Sequence, residues 1–203
     1  MKKQIVYIHG GTAFSKYDAF IEYLKAKPIT DPLDLQKIKL WKYSLAEQLG
    51  GEYEMYMPTM PNSQNAKYAE WKMWFERYFE FLHDGVILIG HSQGGYFLAK
   101  YLSENTMPVR IAALYLVAAP FEPADFGKED GGDFSFDSNI LPHLAGQVDK
   151  IFLFHSKDDP IVPYTHAEKF KEAIPEATLY TFEHNGHFIQ EEFPEIIASI
   201  REL

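Results

Sequence analysis

Hydrophobic and polar positions alternate along the chain in a pattern typical of a parallel β-sheet covered by helices. Short apolar runs predict six strands, and four of these runs are almost continuously apolar, as expected of strands buried on both faces. The four runs are Ile5–Ile8, Val86–Ile89, Ala113–Val117 and Ile151–Phe154. The other two, Tyr53–Met57 and Thr178–Phe182, alternate more and therefore indicate strands nearer the sheet edges.

Segments with apolar residues at helical spacing separate the strands. The predicted helices are Tyr17–Lys25, Leu40–Leu49, Ala66–Leu82, Gln93–Leu102, Tyr164–Ala173 and Pro194–Leu203. An aromatic stripe on one of them includes Trp71, Trp74 and Phe75, which we interpret as core residues rather than a substrate platform. The alternation predicts the α/β class, with a doubly wound, mostly parallel six-stranded sheet and helices on both faces.

Length and composition exclude several classes of protein. The 203 residues fit a single domain, residues 1–203. The net charge of −10, from 29 acidic and 19 basic residues, disfavours nucleic-acid partners, which need clustered lysine and arginine. The absence of cysteine excludes a thiol nucleophile and a thiolate metal site. The longest apolar stretch, Ile111–Ala119, is about half a membrane span, so we expect no membrane partner and a cytoplasmic, unprocessed chain.

The spacing of candidate ligands indicates neither a metal nor a cofactor. The histidines form no His-x-x-x-His pair, and no carboxylate cluster accompanies them. The paired glycines Gly10-Gly11 and Gly94-Gly95 do not form a G-x-G-x-x-G motif, so a dinucleotide site is not expected.

The segment Gly90-His91-Ser92-Gln93-Gly94 is the strongest indication of chemistry. This G-x-S-x-G motif follows the predicted strand Val86–Ile89 and precedes the predicted helix Gln93–Leu102. A tight strand-to-helix turn of this kind presents a serine hydroxyl above the sheet, and the helix N-terminus favours negative charge that develops beside it. Ser92 is therefore the candidate nucleophile.

A serine nucleophile needs a base to take its proton and an acid to orient that base. The acid candidates, Asp158 and Asp159, follow the fifth predicted strand, and the base candidates, His184 and His187, follow the sixth. Because the carboxyl ends of parallel strands meet at one edge of a sheet, we expect these side chains near Ser92. The order serine, acid, histidine is the order expected with this type of turn.

These motifs resemble the α/β-hydrolase superfamily over essentially the whole chain, and within it the small serine hydrolases related to retinoblastoma-binding protein nine. The resemblance rests on three segments. Besides the serine turn, Asp159-Pro160-Ile161-Val162-Pro163 fits the acid loop Asp-x-apolar-apolar-Pro, and Gly186-His187 fits the Gly-His dipeptide of the superfamily. Many members have two further N-terminal strands, so the resemblance implies a compact form of the fold that lacks the first two strands.

The resemblance assigns the acid to Asp159 rather than Asp158, and the base to His187 rather than His184. It implies an esterase-type serine hydrolase that cleaves a carboxylic ester, or a related thioester or amide, through an acyl-enzyme on Ser92 without a cofactor. The expected partner is a small-molecule acyl substrate. The alternative is a non-catalytic protein-interaction module of the same fold, which the complete set of serine, acid and histidine disfavours.

The resemblance also implies an oxyanion hole. His9-Gly10-Gly11-Thr12 follows the first predicted strand, where the superfamily has its His-Gly oxyanion loop. The backbone N–H of Gln93 is expected to be one donor, and the other is expected from Gly11 or Thr12. We interpret His9 as a structural residue that holds the loop.

The segment Phe121–Leu141 follows the fourth predicted strand at the same edge and mixes phenylalanines, acidic residues and glycines without periodicity. A long aperiodic connection in a compact domain is often functional. We therefore consider it as a short, mobile rim whose Phe121, Phe126, Phe134 and Phe136 cover an acyl group. The alternative is a solvated connection whose phenylalanines pack into the core.

Overall fold

A computed structural model describes residues 1–28, 39–123 and 130–203. Its strands are β1 (Lys3–Ile8), β2 (Tyr53–Tyr56), β3 (Val86–His91), β4 (Ile111–Val117), β5 (Ile151–Ser156) and β6 (Thr178–Phe182). They form one sheet in the order β2-β1-β3-β4-β5-β6, and every pairing between them is parallel. All six predicted strands are present, and the two predicted edge strands, β2 and β6, lie at the edges.

Helices cover both faces of this sheet, which confirms the predicted doubly wound α/β fold. The helices are α1 (Tyr17–Ala26), α2 (Trp41–Leu49), α3 (Tyr68–Glu76), α4 (Gln93–Glu104), α5 (Leu141–Ala145), α6 (Thr165–Ala173) and α7 (Pro194–Arg201). The helices α2 and α7 share a buried cluster with Tyr7 and Ile89 of the sheet. The helices α3, α4, α5 and α6 share the other cluster, with Ile8 and Leu88. None of the described helices is long and apolar enough to cross a membrane.

The predicted helix that carries the aromatic stripe is shorter than expected. It ends at Glu76, and the stripe continues through a 3₁₀ turn at Phe79–Phe81. Trp71 and Phe75 are fully buried, as predicted. Trp74 is 38% exposed, so the prediction that it belongs to the core is wrong. Trp74 stands about 100° around the helix from Phe75 and about 60° from Trp71, so it lies at the border of the buried face.

The segment Phe121–Leu141 does not form the expected rim in its described part. Phe134 is fully buried, and its ring centroid lies 5.3 Å from that of Trp71. Phe121 and Phe136 pack against the same core cluster, because burying an aromatic ring there removes a large apolar surface from water. Phe126 lies outside the described residues. The rim interpretation is therefore wrong for Phe121, Phe134 and Phe136.

The strand order brings two loops side by side. The chain passes from β1 to β2 on one side and enters β3 on the other, so the order of strands reverses between β1 and β3. At their carboxyl ends Ile8 stands opposite Gly90. Parallel α/β sheets bind ligands outside the carboxyl ends of the strands at such a reversal. The loop after β1 and the serine turn after β3 therefore meet where a site is expected.

Candidate active site

Ser92 stands between the last residue of β3 and the first residue of α4. Its backbone has φ 54° and ψ −124°, a conformation that is uncommon outside glycine and is found mainly at functional sites. Backbone hydrogen bonds hold the turn. The N–H of Ser92 donates to the carbonyl of Val117 at 2.8 Å, and the N–H of Gly95 donates to the carbonyl of Ser92 at 2.8 Å. The turn thus keeps a strained serine at the carboxyl edge of the sheet.

Glycines make this turn possible because α4 packs directly on the strands. A Cβ at Gly94 would lie 2.1 Å from the carbonyl oxygen of Ile8, and one at Gly90 would lie 2.6 Å from Cα of Gly95. Both distances are far shorter than a van der Waals contact, and both involve backbone atoms that cannot move aside. Packing therefore requires the two outer glycines of the G-x-S-x-G motif.

A hydrogen bond joins Asp159, in the loop after β5, to His187, in the loop after β6. Nδ1 of His187 lies 2.8 Å from Oδ2 of Asp159, and the two side chains are 6% and 0% exposed. Oδ1 of Asp159 also accepts the N–H groups of Ile161 and Val162, at 2.8 and 3.0 Å. These donors compensate the burial of a carboxylate. The imidazole therefore carries its proton on Nδ1, which leaves Nε2 free to accept another.

The alternative acid and base lie at the surface. Asp158 is exposed, and its Oδ1 accepts hydrogen bonds from Oγ of Ser156 at 2.5 Å and from the N–H of Gly186 at 2.9 Å. The Ser156 hydroxyl, followed by the Gly186 N–H, lowers the pKa of Asp158 below its usual value. His184 is exposed as well. The structure thus brings together the acid and base that the resemblance implied and leaves the alternatives exposed.

A cleft of about 440 Å³ opens at the serine turn, within the usual size range of small-molecule sites. Ser92 and His187 both line it, together with the loop after β1 and the apolar residues Ile161 and Ile189. Among the described contacts, no hydrogen bond joins Oγ of Ser92 to the imidazole of His187. Catalytic hydrogen bonds of this kind are often long and tighten only when substrate binds.

Some backbone N–H groups in the cleft already donate a hydrogen bond within the protein, and others do not. The N–H of Thr12 donates to the carbonyl of Ser63 at 2.8 Å. The N–H groups of Gly11 and Gln93 have no acceptor among the described residues, and Gln93 is the first residue of α4, where an intrahelical partner is absent. A Cβ at Gly11 would lie 2.5 Å from the carbonyl oxygen of Ser63. The hydrogen bonds therefore favour Gly11 over Thr12 as the second oxyanion donor.

The side chain of His9 forms hydrogen bonds with backbone groups of Met60 and Gly10. Its Nε2 accepts the N–H of Met60 at 2.9 Å, and its Nδ1 lies 2.6 Å from the carbonyl oxygen of Gly10. Burial lowers the pKa of His9, which favours the neutral ring that this pair of bonds needs. Within the described ranges, no group of three or more His, Asp or Glu side chains could hold a metal ion.

His91 holds the loop that carries His187, a contact that sequence reasoning missed. Its Nε2 donates to the carbonyl oxygen of His187 at 2.8 Å, so the serine turn holds the loop after β6. His155 acts in the same way on the acid loop, with Nε2 2.8 Å from the carbonyl oxygen of Val162. Burial, with a contribution from the neighbouring His187, lowers the pKa of His91 to about 3. No local sequence signal could reveal the contact between His91 and His187, because these residues are 96 positions apart along the chain.

We expect the free energy of unfolding to fall as the pH is lowered from about 6.5 towards 3, because the unfolded chain then binds a proton at His91 that the folded protein resists. The folded-state pKa lies below the unfolded value, so stability rises with pH across this window. His91→Gln keeps an N–H donor but does not titrate, and should flatten the slope by up to about 1.4 kcal/mol per pH unit. Urea denaturation at several pH values between about 4.5 and 7 measures this slope.

The matched control is His184→Gln, because His184 is exposed and has no hydrogen bond to the carbonyl oxygen of His187 or of Val162. Its slope should equal that of the unmodified protein. An unchanged slope in His91→Gln would show that His91 does not contribute to the acid sensitivity.

Comparison with known proteins identifies the family to which this site belongs. Residues 36–196 match the serine hydrolase family. The chain belongs to that family. This serine hydrolase is 27% identical over 167 residues to serine hydrolase RBBP9 of Rattus norvegicus. The aligned region covers 80% of this chain and 84% of RBBP9. It is also 25% identical over 194 residues to the candidate hydrolase YdeN of Bacillus subtilis, and that aligned region covers 95% of this chain and 89% of YdeN.

Solved structures confirm the α/β-hydrolase fold of this serine hydrolase. The crystal structure of the ydeN gene product from B. subtilis is similar with a TM-score of 0.75 and 21% identity, over 99% of this chain and 98% of that one. A meta-cleavage product hydrolase from Pseudomonas fluorescens has a TM-score of 0.67 and 13% identity, over 98% and 89% of the two chains. Family membership supports hydrolysis over the non-catalytic alternative.

Proposed function

We propose that this serine hydrolase cleaves carboxylic esters through an acyl-enzyme formed on Ser92. The observation that carries the proposal is the 2.8 Å hydrogen bond between the buried side chains of Asp159 and His187 in loops adjoining the cleft that Ser92 lines. A buried carboxylate and imidazole in contact, beside a serine with a strained backbone, are the three groups that nucleophilic catalysis by serine requires.

In the proposed first half-reaction, Oγ of Ser92 forms a bond to the acyl carbon while Nε2 of His187 takes the hydroxyl proton. The carbonyl oxygen becomes negative and accepts hydrogen bonds from the N–H groups of Gly11 and Gln93. One such donor is typically worth about 10² to 10³ in kcat. The tetrahedral intermediate then releases the alcohol, which receives the proton from His187, and the acyl group remains on Ser92.

Water completes the cycle by the same steps. His187 takes a proton from water, the resulting nucleophile attacks the acyl-enzyme, and the carboxylic acid leaves as Oγ of Ser92 regains its proton. Asp159 orients the imidazole throughout and stabilises the imidazolium that forms in each half-reaction. The chemistry balances with ester and water alone, so the proposal includes no cofactor.

The leaving group separates esters from the related thioesters and amides, which the same residues can attack. We propose esters rather than amides because an alkoxide leaves more readily than an amide nitrogen and needs less specialised protonation. A thioester would react by the same steps. The partner is therefore a small-molecule acyl compound of a size that a cleft of about 440 Å³ can admit.

A fluorophosphonate probe and a series of p-nitrophenyl esters of increasing acyl length test this proposal. We expect one probe molecule per chain, located on Ser92 by mass spectrometry, and turnover of at least one ester. A folded protein that reacts with no probe and hydrolyses no ester of the series would contradict it.

A further inference from the structure

The cleft beside Ser92 is lined by two cations and, among the described residues, by no carboxylate. Lys27, directly after α1, and Lys42, in α2, both line it. The chain as a whole has 29 acidic residues against 19 basic ones, so its average surface repels anions. The charge of the cleft therefore opposes that of the rest of the molecule.

Lys42 has no acidic partner in the part of the chain that the structure describes. Its Nζ lies 5.5 Å from the ring centroid of Tyr7 and 5.1 Å from that of Tyr43, and such contacts leave the N–H donors of an ammonium free. Burial lowers the pKa of Lys42, as expected of a cation partly removed from water. Six other lysines each lie beside a glutamate, namely Lys25, Lys39, Lys72, Lys100, Lys157 and Lys169.

The position of Lys42 is close to the groups that would carry out the reaction. Burial is the main cause of the lowered pKa of His9 and of His91, and the charge of Lys42 contributes to both. His91 precedes Ser92 in the serine turn, and His9 is the first residue of the loop after β1. Lys42 lines the same cleft as His91 and Ser92, so an anion bound to Lys42 would share that cleft with the ester that Ser92 attacks.

We propose that the ester cleaved at Ser92 carries a carboxylate, which Lys42 binds through a charge-assisted hydrogen bond. The inference rests on the proposed ester hydrolysis and adds a substrate class to it. The carboxylate belongs either to the acyl part, as in a monoester of a dicarboxylic acid, or to the alcohol part. Bond making and breaking are those given above, because the carboxylate serves only for binding.

Two matched pairs of esters distinguish these sources. p-Nitrophenyl hydrogen glutarate and p-nitrophenyl valerate differ in charge on the acyl side, whereas 3-acetoxybenzoate and 3-acetoxybenzamide differ on the alcohol side. The readout is the ratio of kcat/KM, anionic over neutral, after normalisation to hydrolysis by hydroxide. We expect at least one pair to favour the anionic ester by about tenfold or more, the usual effect of a hydrogen bond to a charged group.

Variants of Lys42 test its part in this preference. Lys42→Met keeps the aliphatic stem and should lower the ratio about tenfold or more, chiefly through KM for the anionic ester. Lys42→Arg keeps the charge and should retain most of the preference. Lys150→Met is the matched control, because Lys150 is exposed just before β5, at the opposite edge of the sheet, and its loss removes the same charge.

The outcomes separate the two proposals. Ratios near one in both pairs, with Ser92 still labelled by the fluorophosphonate, overturn the anionic substrate class and leave ester hydrolysis intact. A preference that survives in Lys42→Met, or that Lys150→Met lowers equally, overturns the assignment to Lys42. Absence of both labelling and turnover overturns the proposed hydrolysis and the inference with it.

Discussion

A Ser92→Ala variant is expected to lose ester hydrolysis by about 10⁶ in kcat, together with all labelling by the fluorophosphonate. The hydroxyl oxygen is the atom that bonds to the acyl carbon, and alanine has none to offer. The fold should persist, since backbone hydrogen bonds to Val117 and Gly95 hold the turn. Initial rates, intact mass after labelling and thermal unfolding measure these three quantities.

Ser138→Ala is the matched control, because Ser138 is exposed and does not line the cleft. It should keep full activity and labelling. Stoichiometric labelling of a folded Ser92→Ala protein would mean that another residue is the nucleophile.

An Asp159→Asn variant is expected to lose about 10⁴ in kcat while KM changes little. The asparagine amide would place an N–H group opposite Nδ1 of His187, or turn only one weaker acceptor towards it. The imidazole would then favour the tautomer with its proton on Nε2, which cannot accept the proton of Ser92. Steady-state kinetics on the best p-nitrophenyl ester measure the loss.

Asp158→Asn offers a close comparison, because it makes the same chemical change one residue away. Asp158 bonds to Ser156 and Gly186 rather than to the imidazole, so we expect a much smaller loss of kcat. If Asp158→Asn were the more damaging of the two changes, the acid would have to be reassigned to Asp158.

The sheet could be predicted because its determinants are local. Apolar runs such as Val86–Ile89 and Ile151–Phe154 mark strands buried on both faces, and the more alternating runs mark the edges. The candidate site was also accessible to sequence reasoning, since the G-x-S-x-G turn combines a motif with its strand and helix in one short segment. The acid and base candidates could be placed because each directly follows a strand.

What escaped prediction depends on contacts between distant segments. The hydrogen bond from His91 to the carbonyl of His187 exists only when β3 and β6 lie in one sheet. Phe134 is buried against the aromatic side chains of α3, and the sequence pattern around Phe134 does not indicate this contact. The hydrogen bond that engages the N–H of Thr12 depends on the carbonyl of Ser63, which lies beyond β2 along the chain.

The edge position of β6 has a consequence for the acquisition of activity during folding. β6 pairs only with β5, and it joins β3, which leads to Ser92, through β5 and β4. Parallel pairings of this type need the closure of long loops and form slowly compared with local contacts. The loop that carries His187 thus reaches its place only after the last strand has joined the sheet. Hydrolysis should therefore report the completed native topology rather than any compact intermediate on the way to it.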